Sequence, residues 1–279
     1  MGTSSAMREN AAPPVDPRPP ATTAHQGHDE HGDAPARRFP LSLRLAGAAV
    51  HLYTALGSVL ALLVVLAAFE GEAVTALWLG LAALWIDGTD GMLARRARVK
   101  ETIPWFDGSL LDNIVDYLTY VFAPIVLLWT TGALSHSWVG WLLAAFPLLA
   151  SSYQFCRVDA KTDDHTFLGF PSYWNVVAFY AVVLDLSQVV VAVVLVVCSV
   201  LVFVPVRYLY PSRTEALWPV SMGLTVVWLV TYAVLLVQYP DPHPVVVVLS
   251  FAYVVYYLAF SGWLTARAAH RRRRAARTA

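Results

Sequence analysis

The chain has 279 residues, of which 58% are hydrophobic and only 14% are charged, and it contains two cysteines. This composition excludes an ordinary soluble domain, and two cysteines provide no disulfide framework. The formal net charge of zero identifies no partner by itself, and no nucleic-acid partner is expected.

The two ends of the chain differ from its apolar middle. Residues 1–43 are rich in Pro, Ala, His, Asp and Glu without apolar periodicity, which predicts a disordered tail. Three histidines in this tail are spaced by three residues and could ligate a metal: His25, His28 and His31. A polar tail with incidental histidines is the simpler interpretation. Residues 267–279 are predicted to form a second, basic tail, and residues 44–266 the membrane domain.

The middle of the chain is predicted to be an all-α integral membrane domain with about eight transmembrane helices. The predicted spans are residues 45–69, 73–94, 109–130, 137–155, 172–186, 188–206, 216–238 and 244–266. The apolar run 172–206 would be about 50 Å long as one helix, too long for a single crossing of a roughly 30 Å core. It is therefore divided at the weak polar break Asp185-Leu186-Ser187-Gln188.

The basic residues predict how these spans are oriented. All 19 Lys and Arg residues lie before the first span, after the last span, or in the loops 95–108, 156–171 and 207–215. Lys and Arg concentrate in cytoplasmic loops, so both termini and these three loops are expected on the cytoplasmic side. The residue usage suits a bacterium, which makes the bacterial cytoplasmic (inner) membrane the expected location.

Four aspartates lie where the second and third spans approach the cytoplasm. The stretch reads Asp87-x2-Asp90-Gly91-x2-Ala94-Arg95-x12-Gly108-x3-Asp112-x3-Asp116. On α-helices, spacings of three and four residues place each acidic pair on one face, with Cβ atoms about 5–6 Å apart. Asp87 and Asp116 lie about 12 Å from the cytoplasmic ends of their helices, so two antiparallel helices bring the pairs to matching depths.

The four carboxylates require compensation, because each costs on the order of 2.5–3.5 kcal/mol within a membrane span. Divalent cations would supply it, and ligands that are all oxygen select Mg²⁺, Mn²⁺ or Ca²⁺. Gly91 and Ala94 allow close approach of a ligand, and Arg95 suits bidentate phosphate binding. This combination predicts a nucleoside diphosphate bound on metal ions. The alternative is that the aspartates cap helices or pair with the loop cations Arg95, Arg96, Arg98 and Lys100. It could explain Asp107 or Asp112, near a helix start, but not Asp87 and Asp116 at depth.

The motif resembles that of the CDP-alcohol phosphotransferases, D-x2-D-G-x2-A-R followed by a spacer and G-x3-D-x3-D, and matches it at all eight positions. The 12-residue spacer is longer than in most members. In this feature, and in residues 99–101, 111–117, 159–162 and 169–175, the chain resembles the bacterial branch of the family that makes phosphatidylcholine. The resemblance covers roughly residues 45–265.

The resemblance implies direct in-line transfer of the phosphatidyl group of CDP-diacylglycerol to choline, with release of CMP, at a cytoplasm-facing site between the second and third spans. It implies two divalent ions, Mn²⁺ or Mg²⁺, held by Asp87, Asp90, Asp112 and Asp116, with Asp116 also the catalytic base. It further implies membrane lipids as partners and a homodimer. The residues expected to contact the CDP part are Gly91, Ala94, Arg95, Gly108 and Thr54.

The choline site is predicted from charge and aromaticity. No Lys or Arg lies within a predicted span, which argues against a deep pocket for an anionic acceptor, whereas aromatic faces bind quaternary ammonium groups. The candidates are Tyr117, Tyr173 and Trp174, with Asn175 as a polar neighbour. Core packing or an interfacial aromatic belt is the alternative for each aromatic.

Two other functions stay open at this point. Another CDP-alcohol phosphotransferase, using serine, glycerol phosphate or an inositol compound, would carry the same motif. A cation transporter could also place aspartates within the membrane, but transport does not require the small residues and the arginine beside them. The loop 156–171 is either a functional segment, as a cytoplasmic lid or a segment that contacts the substrate, or a solvated loop.

Overall fold

The computed structural model describes residues 39–162 and 164–278. His25, His28 and His31 and most of the predicted N-terminal tail lie outside the described residues. The described chain is mostly helical: α1 Leu41–Phe69, α2 Ala73–Arg96, α3 Val99–Thr102, α4 Gly108–Asp116, α5 Ala123–Thr130, α6 Trp138–Cys156, α7 Trp174–Val183, α8 Gln188–Phe203, α9 Trp218–Gln238 and α10 Pro244–Thr278. A π-helical segment, Tyr117–Phe122, joins α4 to α5 without a break.

Five of the helical stretches in the described residues are long and apolar enough to cross a membrane: Leu41–Phe69, Gly108–Thr130, Trp138–Cys156, Trp218–Gln238 and Pro244–Arg271. The chain is therefore a multi-pass membrane protein. α7 and α8 have 10 and 16 residues, about 15 and 24 Å as helices, against a core of roughly 30 Å. Two separate helices thus replace the long apolar run, with a break at residues 184–187.

Both predicted domain boundaries differ from the helix ends in the structure. α1 begins at Leu41, directly after Pro40, whereas the sequence placed residues up to 43 in the tail. α10 continues through the predicted basic tail as far as Thr278. Its last turns are built from Ala and Arg, which are good helix formers, and no proline follows Pro244 to end the helix.

α1 packs against both helices that carry the motif aspartates. It packs along α2 and also contacts α4 and α5. A Cβ on Gly57 would lie 2.4 Å from Val115 Cγ1, so only glycine allows α1 and α4 to approach this closely. Beyond this contact, fully buried side chains such as Leu127, Leu128 and Phe179 form the main core.

A small antiparallel sheet lies at one end of the helices. β1 (Thr166–Leu168) pairs with β2 (Arg207–Leu209), with Phe167 opposite Tyr208. β2 is fixed to α10, because Ser261 Oγ accepts from the Leu209 N–H at 3.0 Å and Thr265 Oγ1 accepts from the Arg207 N–H at 2.8 Å. The sequence analysis did not predict these strands, since three residues are too few to show periodicity.

Candidate active site

Three of the four motif aspartates form one cluster. α2 supplies Asp87, and α4 supplies Asp112 and Asp116. One carboxylate oxygen of each lies within 4.8 Å of the others. The i,i+4 spacing on α4 and the neighbouring position of α2 produce this arrangement, as the helical pattern predicted.

Tyr120 braces the cluster. Its hydroxyl donates to Asp87 Oδ2 at 2.6 Å, a length typical of a hydrogen bond to a carboxylate. Tyr120 lies in the π-helical segment four residues after Asp116, and π-helical turns are frequent at functional sites. The sequence analysis did not single out this residue, although its i+4 spacing from Asp116 is a signal that could have identified it.

Asp90 lies outside the three-acid cluster and is held by α1. Thr54 Oγ1 donates to Asp90 Oδ2 at 2.7 Å, and the carboxylate is buried. The preceding residue of each helix is paired as well, since the hydroxyls of Tyr53 and Thr89 are 2.9 Å apart. These two contacts fix the rotation of α2 against α1, so Thr54, predicted to contact CDP, also positions an acid.

The chemistry of the cluster fits a divalent cation. Its three residues offer only carboxylate oxygens, the ligand type that Mg²⁺, Mn²⁺ and Ca²⁺ prefer. Among the described cationic side chains, Lys161 is the one that forms an ion pair with the cluster, with its Nζ 3.8 Å from Asp112 Oδ2. One half-exposed ammonium group cannot neutralise three neighbouring carboxylates, so the cluster retains capacity for a cation.

A cleft of about 790 Å³ opens beside the acids, a size typical of small-molecule sites. Its lining includes seven of the motif and CDP-contact candidates: Thr54, Asp90, Gly91, Ala94, Arg95, Gly108 and Asp112. A Cβ at Gly108 would lie 2.7 Å from His51 Cε1, so a larger residue there would have to displace the imidazole. The His51 ring packs beside Phe106, with centroids 4.4 Å apart and the ring planes tilted by 46°.

Two loops also line the cleft: 156–171, for which contact with the substrate was one of the interpretations from sequence, and 207–215, which the sequence did not connect with the site. These loops contribute Lys161, Thr162, His165, Tyr210 and Arg213. The Arg213 guanidinium lies over the Tyr210 ring, 5.7 Å from its centroid. Burial raises the pKa of the Tyr210 hydroxyl, although Lys161 and Arg213 oppose the rise. This part of the lining therefore carries two cationic side chains and a protonated phenol.

The four choline candidates occupy different environments. The Tyr173 ring lies 5.8 Å from the Tyr120 ring and so adjoins the acid cluster. Trp174 is completely buried, and its indole N–H donates to Ser151 Oγ at 2.7 Å, an environment typical of a packing residue. The Tyr117 hydroxyl donates to the backbone oxygen of Leu148 at 3.1 Å, on α6.

Asn175 is also buried, and its Oδ1 has no hydrogen-bond partner among the described residues. An unpaired buried carbonyl oxygen is unusual in a folded protein. The structure therefore brings Tyr173 to the acids, whereas Trp174 and Tyr117 engage neighbouring helices.

Comparison with known proteins identifies the family. Residues 50–206 match the family model described as CDP-alcohol phosphatidyltransferase. The chain belongs to the CDP-alcohol phosphatidyltransferase family. All eight motif positions lie within the matched region, which confirms the resemblance seen in the sequence and makes the chain a transferase.

Bacterial relatives within this family cover most of the chain. The phosphatidylcholine synthase of Pseudomonas aeruginosa is 42% identical over 220 residues, which cover 78% of this chain and 91% of the relative. The phosphatidylcholine synthase of Legionella pneumophila is 39% identical over 234 residues, 81% of this chain and 91% of the relative. That of Rhizobium meliloti is 37% identical over 227 residues, 80% of this chain and 93% of the relative.

Proposed function

We propose that this CDP-alcohol phosphatidyltransferase transfers the phosphatidyl group of CDP-diacylglycerol to choline and releases CMP. The observation that carries the proposal is the similarity to relatives named phosphatidylcholine synthase, at 37–42% identity over 78–81% of the chain. The acid cluster and the adjoining cleft support the same reaction class, because their residues suit a divalent cation and a diphosphate.

Asp87, Asp90, Asp112 and Asp116 would hold the metal, as two Mn²⁺ or Mg²⁺ ions. When bound, such ions neutralise the diphosphate and stabilise the charge that develops on departing CMP. Arg95 and the glycine-lined wall of the cleft would bind the CDP part. Tyr120 would keep Asp87 in its ligating orientation.

The reaction itself would be a direct in-line displacement. The choline hydroxyl loses its proton to the Asp116 carboxylate, and its oxygen forms a bond to the phosphorus that bears the diacylglycerol group. The bond from that phosphorus to the bridging oxygen of the diphosphate breaks, and CMP leaves with the electron pair. A carboxylate set in an acid cluster is suited to take the proton, because general bases act within hydrogen-bond reach of the reacting group.

The quaternary ammonium of choline would lie against Tyr173. This ring is the choline candidate that adjoins Tyr120 and hence the acid cluster. Aromatic faces attract quaternary ammonium groups within about 6 Å of the ring centroid. Trp174 is buried, so its role would be to support this site by packing.

The topology that we propose has eight membrane-embedded helices, with the cleft and both termini in the bacterial cytoplasm. It is supported by the connections at residues 70–72, 131–137, 184–187 and 239–243, which contain no Lys or Arg, as expected for the outer side. Cys156 is exposed at the end of α6, on the inner side in this topology. A membrane-impermeant maleimide is expected to label Cys156 only after spheroplasts are permeabilised, and labelling of intact spheroplasts would reverse the orientation.

The function is tested by reconstituting the purified full chain in vesicles with CDP-diacylglycerol and Mn²⁺. Labelled choline is expected to enter phosphatidylcholine with one CMP released per lipid formed. Serine, glycerol phosphate and inositol serve as competing acceptors in parallel reactions. Lipid product from one of these acceptors, without product from choline, would refute choline as the substrate.

A further inference from the structure

Lys161 reaches the acid cluster from outside the catalytic motif. Its Nζ lies 3.8 Å from Asp112 Oδ2, and the residue also lines the cleft. Arg95, Gly91 and Gly108 line the same cleft. This position places a mobile ammonium group between a metal-ligand candidate and the space where a diphosphate would lie.

A β-hairpin fixes the backbone of Lys161. Lys161 forms a bridge with Phe167 of β1, and hydrogen bonds on either side close the hairpin: Thr162 N–H donates to Thr166 O at 3.0 Å and Leu168 N–H donates to Ala160 O at 2.9 Å. Because the backbone is held in this way, the Lys161 side chain can occupy only positions near the acids.

The tip of the hairpin is braced in turn. The Thr162 and Thr166 hydroxyls donate to Asp164 Oδ1 at 2.6 and 3.2 Å, and Arg207 of β2 forms an ion pair with the same carboxylate. Burial raises the pKa of Asp164, but the Thr162 hydrogen bond and the Arg207 charge outweigh it and hold this pKa below its usual value. Because β2 is fixed to α10 by Ser261 and Thr265, the hairpin is a rigid support for Lys161.

The ion pair itself is loose. Its 3.8 Å separation is longer than a hydrogen bond, and the side chains of Lys161 and Asp112 are 51% and 32% exposed. An exposed pair of this kind contributes little and exchanges partners readily. A lysine ammonium has three donors on a flexible stem, so it can leave the carboxylate for a phosphate without movement of the hairpin.

We infer that Lys161 is a substrate-binding residue that changes partner during the reaction. It pairs with Asp112 before the divalent cation binds, and it contacts a phosphate oxygen of CDP-diacylglycerol once the cation has taken the carboxylate. The inference rests on the proposed function of the same cleft. It differs from a solvated lysine, which would affect neither ligand, and from a structural ion pair, which would affect both in the same direction.

Lys161→Met tests the inference, because it removes the charge and keeps most of the side-chain length. Mn²⁺ binding to the purified full chain is measured by electron paramagnetic resonance without nucleotide, and CMP binding is measured by calorimetry in saturating Mn²⁺. Removal of a competing cation is expected to tighten Mn²⁺ binding about two- to fivefold. Loss of a charge-assisted contact is expected to weaken CMP binding about tenfold.

Two further variants complete the design. Lys161→Arg retains the charge and is expected to keep both affinities within about twofold of the parent, since a guanidinium can replace the ammonium at an exposed phosphate. Arg96→Met removes one charge from an exposed arginine that does not line the cleft, and it is expected to change neither affinity.

Opposite shifts of the two affinities in Lys161→Met, restored by Lys161→Arg, support the inference. Unchanged or weakened Mn²⁺ binding in Lys161→Met, or unchanged CMP binding, overturns it. Neither measurement contains choline. If the shifts are opposite while choline yields no lipid, the proposed acceptor is wrong and the inference about Lys161 stands.

Discussion

Substitution of Tyr120 by phenylalanine would show how strongly the π-helical segment controls the metal site. The change removes one oxygen, the atom that donates to Asp87 Oδ2 at 2.6 Å, and leaves the ring against Tyr173. A hydrogen bond to a charged group contributes about 1.5–3 kcal/mol. This range corresponds to a loss of about 10- to 150-fold in affinity, similar to the 10- to 100-fold cost typical of lost partners of metal ligands.

The assay is the Mn²⁺ dissociation constant of the purified chain, with the Mn²⁺ dependence of lipid synthesis measured alongside. Tyr180→Phe is the matched control, because the Tyr180 hydroxyl is also buried and lies 2.6 Å from Ser250 Oγ, in the core rather than at the acids. We expect weaker Mn²⁺ binding in Tyr120→Phe and unchanged Mn²⁺ binding in Tyr180→Phe. A Tyr120→Phe protein that binds Mn²⁺ within twofold of the parent would refute the bracing role.

Three further substitutions address the proposed roles one at a time. Asp116→Asn should lower kcat by about 10²- to 10⁴-fold, the usual contribution of a general base, while CDP-diacylglycerol still binds. Arg95→Met should raise the KM for CDP-diacylglycerol about tenfold through loss of a charged phosphate contact, whereas Arg96→Met should not. Tyr173→Leu should raise the KM for choline about two- to thirtyfold, the range of a cation–π contact, and Tyr239→Leu, on an exposed tyrosine, should leave it unchanged.

Each of these expectations has a clear contrary result in the same steady-state assay of labelled lipid formation. Full turnover by Asp116→Asn would exclude this carboxylate as the base. Equal effects of the two arginine substitutions would indicate a general charge effect rather than a phosphate contact. A Tyr173→Leu protein with a normal KM for choline would move the ammonium site to another surface of the cleft.

The acid cluster was predictable because helix geometry is local. Asp112 and Asp116 must share a face of α4, and the short connection after α2 brings Asp87 beside them. The same rule, applied four residues further on, would have placed Tyr120 at the cluster. Asp90 lies apart from the cluster because its orientation depends on Thr54 of α1. This is a tertiary contact, which the residue spacing on α2 cannot show.

The cationic part of the cleft lining was predictable only in part. The loop 156–171 was one candidate for contact with the substrate, but Lys161 and Arg213 reach the site through loops whose positions depend on the sheet and on α10. The absence of Lys and Arg from the spans was correctly observed, but loop cations fold back over the acids. The orientation of Trp174 was hidden for another reason. Apart from Asn175, α7 is apolar, so its sequence has no polar face to show which side chains turn inward.

The residues that line the cleft also reach the membrane at different times during synthesis. The acids of α2 and α4 leave the ribosome well before Lys161, and β2 and α10, which brace the Lys161 hairpin, leave it later still. Until then, the nascent chain carries several carboxylates in apolar helices without their cationic partner, a costly state for a segment entering lipid. Chain termination before α10 would leave the hairpin unanchored, so we expect prematurely ended chains to be recognised and degraded by membrane quality-control proteases.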